Sequence, residues 1–152
     1  MKKLFALILA VVMLATMSTT VFADNTTGGD ADITTSIDPT YTVTIPADVN
    51  VQFNATETSF GTIEVAASQI HPNKCIKVAL ATDNELNNAI DNTKVIPYAI
   101  KDSEGAAFTS ATYLTEGDKT ELSIHITAND WNAAYAGEYS DTVTFTVSYE
   151  DK

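Results

Sequence analysis

Residues 143–149 read VTFTVSY, and the reading of this stretch decides the fold. Apolar and polar residues alternate without a break. In an extended chain Val143, Phe145, Val147 and Tyr149 therefore fall on one side, and Thr142, Thr144, Thr146 and Ser148 on the other. The β-branched valines and threonines favour the same backbone. One apolar face and one threonine-rich face describe a strand of an antiparallel sheet, with its core on one side and water on the other.

Just upstream, AGEYSD (136–141) puts Gly137 and Tyr139 at the mouth of this strand. A tyrosine at the corner of a sandwich lays its ring over the core edge and returns its hydroxyl to a backbone group upstream. A preceding glycine permits the tight backbone that such a corner needs. Tyr139 is assigned this structural role, and Trp131, eight residues earlier, is expected to cap the same end of the core.

The same parity runs outward through the chain. Strands are expected at residues 32–37, 40–45, 50–53, 62–66, 74–81, 95–101, 121–127 and 141–150, with a weaker one near 106–112. Their inward sets are Tyr41, Val43 and Ile45; Ile63 and Val65; Ile76, Val78 and Leu80; Ile96, Tyr98 and Ile100; and Leu122, Ile124 and Ile126. Residues 84–90 and 130–134 are each read as one helical turn. Seven to nine short strands without crossover helices predict an all-β, antiparallel β-sandwich.

The chain opens MKKLFALILAVVMLATMSTTVFADN. Two lysines, an apolar run from Leu4 to Ala15 and small residues up to Ala23 predict a signal peptide cleaved after Ala23. The run is shorter than the roughly 20 residues that span a bilayer. A flexible leader is expected over residues 24–31 and a single sandwich domain over 32–152. The protein is thus expected outside the cell, free or held non-covalently at the surface, with no membrane insertion after cleavage.

Loss of residues 1–23 removes two of the 8 lysines and none of the 20 acids, and there is no arginine, so the remaining charge is 6 − 20 = −14. Such a surface repels nucleic acid and anionic lipid. Cys75 is the only cysteine. It excludes an internal disulfide and leaves one thiol for intermolecular pairing.

No sequence motif assigns a catalytic, cofactor or metal residue. His71 and Cys75 stand four apart, which is two ligands where zinc needs four. His125 falls on an outward face with Ser123 and Thr127. Asp30, Asp32 and Asp38 lack the spacing of a calcium loop and are read as solvated acids. The chain is therefore read as a non-catalytic domain whose partner is a cell-surface protein, itself or a glycan. In the first reading it is structural or adhesive, and residues 32–37 are an edge strand that either pairs within its own sandwich or detaches to complete a neighbour's sheet. In the alternative it binds carbohydrate through exposed aromatics: Trp131, Tyr135 and Tyr113, with Asn129 and Asn132.

Three stretches carry a family resemblance. AGEYSDTVTFTVSY (136–149) resembles the closing strand of pilin-like and spore-coat-U-like domains, and SFGTIEV (59–65) is similar to their Phe-Gly strand opening. PTYTVTIPADV (39–49) resembles the first segment of small secreted surface domains of Gram-positive bacteria. The resemblance implies an exported, immunoglobulin-like sandwich used in surface fibres and coats.

Overall fold

A computed structural model describes residues 30–152. The expected signal peptide and residues 24–29 of the leader lie outside the described residues. Ten strands and one short helix follow in order: β1 (Thr40–Thr44), β2 (Glu57–Gln69), β3 (Lys74–Ala81), β4 (Glu85–Asn88), β5 (Val95–Pro97), β6 (Ala99–Asp102), β7 (Ser110–Tyr113), β8 (Lys119–His125), α1 (Ala128–Ala133), β9 (Tyr139–Ser140) and β10 (Thr144–Asp151).

All pairings are antiparallel. One sheet runs β1-β2-β8-β6, a second β10-β3-β7, and a small third β5-β4-β9. The alternation read from the sequence fills the space between them. Ile63, Val65, Ile76 and Val78 are fully buried, and Ile96, Ile100, Leu122 and Ile126 nearly so. The molecule is thus an all-β antiparallel sandwich, and Ser36–Lys152 forms one compact unit.

Several elements depart from expectation, each for a local reason. Residues 32–37 form no strand; residues 30–39 carry no regular structure, and all are exposed. Residues 50–53 are not a strand either. Asn54, at φ 64°, turns the chain there, with Ala55 N donating to Gln52 O at 3.0 Å. The expected strand at 95–101 splits at Pro97-Tyr98: β5 pairs with β4, while β6 pairs with β8 in another sheet. Proline lacks the N–H that would continue a ladder, which suits the change of partner. Residues 84–90, read as a helical turn, contain strand β4, because β5 and β9 pair with it on both sides. The turn expected at 130–134 is present as α1, capped by Thr127, whose hydroxyl accepts from Asp130 N at 3.2 Å.

The tyrosine corner forms. The Tyr139 hydroxyl donates to Tyr135 O at 3.0 Å and accepts from Tyr135 N at 3.1 Å. Gly137 sits at φ 146°, and a Cβ there would come within 2.6 Å of Asn88 Nδ2. Only glycine fits this position.

Candidate binding groove

Two inward faces expected from the sequence are left uncovered. On β1, Tyr41 is 37 % exposed, and Ile45 just after it is 43 % exposed; on β10, Val147 is 37 % exposed. Among the described residues both strands are sheet edges, each paired on one side only. Tyr41 of β1 meets Tyr149 of β10 at 5.7 Å between ring centroids, and Phe60 of the neighbouring β2 meets Phe145 of β10 at 5.9 Å.

Beside these contacts the sandwich opens into a groove. One part, of about 500 Å³, is lined by Ile45, Pro46 and Val51 on one side and by Val143 and Phe145 on the other, with Phe60 below. A second part, of about 640 Å³, runs on to Phe53, Trp131 and Tyr139. The two meet along Val49, Val51, Leu86 and Asp141, so they are one continuous feature. Its outer wall is residues 45–51, an irregular segment. Among the described residues, no backbone–backbone hydrogen bond outside the β1 ladder holds it.

One polar cluster lies in this apolar lining. The Tyr98 hydroxyl donates to Asp141 Oδ2 and lies 2.8 Å from Thr82 Oγ1. Asp141 Oδ1 accepts from Thr142 N at 2.6 Å. Burial, and then the hydrogen bond to the Asp141 carboxylate, hold the Tyr98 phenol well above its ordinary value. The phenol is thus a fixed donor at any physiological pH, and the cluster is satisfied from within. It anchors the start of β10 to the core rather than awaiting a ligand.

Of the aromatic set named from the sequence, the structure brings together Trp131, Tyr135, Asn129 and Asn132, all on α1 or just after it. Tyr113 is not part of it. It is 3 % exposed on β7, with its hydroxyl donating to Thr120 Oγ1 at 2.8 Å, and it offers no face to a ligand. Trp131 is half-buried. Its Nε1 donates to Ala55 O at 2.8 Å, and the Phe53 ring meets it edge-on at 5.6 Å. Tyr135 is 64 % exposed, with Lys94 Nζ 5.1 Å from its ring centroid.

Cys75, named from the sequence as a candidate intermolecular thiol, lies inside. It is 4 % exposed, and its thiol lies against the backbone carbonyls of Glu150 and Asp151 at 3.7 and 3.8 Å. A buried thiol cannot meet a second one without unfolding the end of β10. His71 is exposed and far from a ligand set; among the described residues, no three His, Cys, Asp or Glu side chains gather as a metal site would require. His125 Nε2 lies 2.9 Å from Ser123 Oγ and 3.9 Å from Glu57, a solvated strand pair.

Sequence reading missed residues 45–51 as a wall. The signal there is IPADVNV (45–51), in which Ile45, Ala47, Val49 and Val51 alternate with Pro46, Asp48 and Asn50. No known protein family and no curated protein matches this chain.

Proposed function

We propose that this chain is an exported, non-catalytic structural or adhesive domain of a bacterial surface or extracellular layer, and that it self-associates by strand addition. Residues 32–37 of one copy lie in the groove of the next, between residues 45–51 and β10. The observation behind this reading is a match of two unfilled halves. One is a largely apolar groove between residues 45–51 and the start of β10, a sheet edge; the other is an extended segment whose Ile33 and Ile37 are 98 % and 63 % exposed.

Six residues in extended form reach about 20 Å. Ile33, Thr35 and Ile37 then share one side, so both isoleucines enter apolar space together. Main-chain hydrogen bonds to an edge strand supply affinity in such a mode, and pockets for alternate side chains supply register. Two long, unpaired edges are otherwise a liability that a soluble domain guards against. The alternative, a glycan module, keeps one specific observation: the exposed Tyr135 ring, with Asn129 and Asn132 exposed on α1. Its tryptophan is already engaged by the Phe53 ring and through its N–H.

The test is size-exclusion chromatography with light scattering, comparing residues 24–152 with a chain that begins at Pro39, both in reductant. The longer chain is expected to form concentration-dependent oligomers and the shorter to run as a monomer. Oligomers that survive the deletion, or a monomer in both cases, would overturn strand exchange.

A further inference from the structure

Apart from Val51, which packs against the core, the wall of the groove is fastened at its two ends. At one end, Pro46 rests on Gly61 of β2, where an added Cβ would stand 3.2 Å from Pro46 Cβ and 3.3 Å from its Cα. Gly61 is itself at φ 129°, in a bulge of the β2–β8 ladder. At the other end, Ala55 O accepts from Trp131 Nε1, and Phe53 stands edge-on to the Trp131 ring. Past that point the chain is tied into β8, with Ile126 N donating to Thr56 O at 3.2 Å.

The second fastening is unusual in its exposure. Phe53 is 76 % exposed, so its ring is held by the T-shaped contact with Trp131 and little else. Asn54, beside it, turns the chain with a left-handed backbone, a conformation asparagine adopts more readily than most residues. Val49 and Val51 line both parts of the groove, so any movement of residues 45–51 changes its width along the whole length.

From these contacts we infer that residues 45–51 are a strap that gates the groove, pivoting where Pro46 meets Gly61 and latched by Phe53 and Ala55 on Trp131. The strap swings out to admit the strand of a second copy, which exposes its own backbone N–H and C=O groups for pairing. This inference rests on the strand-addition reading and adds the control point to it. An edge-to-face aromatic pair of ordinary strength holds such a latch shut by about two- to tenfold in rate.

The experiment uses the chain from Pro39 to Lys152, a dye-labelled peptide of residues 30–39, and two variants. Phe53→Ala removes the latching ring, and Trp131→Phe keeps a ring but removes the N–H. Peptide uptake is followed by stopped-flow anisotropy, with Trp131 emission read in parallel where tryptophan is present. Phe53→Ala is expected to accelerate uptake by about two- to tenfold, with a thermal midpoint close to the parent because the ring is exposed. Trp131→Phe is expected to accelerate it as well, and the parent's tryptophan emission should move to the red as peptide enters. Uptake at an unchanged rate in both variants would overturn the gate and leave the groove reading standing. No uptake in any of the three would overturn both.

Discussion

Two tyrosine hydroxyls in this molecule find different partners, and the difference follows from where their rings lie. Tyr139 sits at a corner, so the nearest unpaired groups are backbone, and it closes on Tyr135 N and O. Tyr98 is 8 % exposed under the groove, where its partners are the side chains of Asp141 and Thr82. Removing its hydroxyl leaves a half-buried carboxylate short of a donor, so Tyr98→Phe should cost about 1–3 kcal/mol at neutral pH. The phenol is raised in the folded state. Its contribution is therefore complete below the unfolded value of about 10 and is lost as pH rises through the folded value. Urea unfolding between pH 8 and 11 should show the parent losing stability above about pH 10 and the variant losing less. Tyr113, also raised by burial, keeps its own share of that slope.

At the scale of elements, the decisive strand is also the exposed one. β10 pairs with β3 from Thr144↔Ala81 to Asp151↔Lys74 and, among the described residues, has no partner on its other side. Phe145 reaches the core against Phe60, whereas Val147 lies where β1 does not cover it. Val147→Lys tests this edge. A lysine on a partly open face keeps its ammonium in water, so the fold should survive with a small loss in thermal midpoint. The same charge on the open β10 edge, two residues from Phe145 of the groove, should abolish the oligomers seen by light scattering. Oligomers of unchanged size in the variant would place the contact elsewhere. By contrast β3, paired on both sides by β10 and β7, matches its expected bounds because both of its edges and its core face are filled.

At the scale of the whole molecule, charge opposes what the groove favours. The chain carries 20 acids against 8 lysines, and Asp32 and Asp38 flank the very isoleucines proposed to enter a neighbour. Copies therefore repel one another at low ionic strength. Salt shortens the range of that repulsion from about 30 Å at 0.01 M to about 8 Å at 0.15 M. Sedimentation velocity across this range should show larger species as salt rises. Loss of oligomers with salt would instead mark an assembly held by ion pairs. Reductant should change nothing in either condition, since Cys75 is enclosed by the end of β10.

The sequence by itself determined the fold class, the inward residues of the central strands and the corner tyrosine, because period-two alternation and a glycine before a tyrosine are local patterns with local causes. Ile63, Val65, Ile76 and Val78 were legible for that reason, and all are fully buried. Only the tertiary structure decided which apolar faces find a cover. Tyr41, Ile45 and Val147 alternate as regularly as the buried residues, yet they lie at sheet edges where the opposing layer ends. It likewise decided that Tyr113 and Cys75 are inside and that residues 45–51 form a wall, since burial depends on neighbours distant in the chain. The groove exists at the place where local pattern and long-range packing disagree: strands patterned to be covered that the chain's own layers leave open.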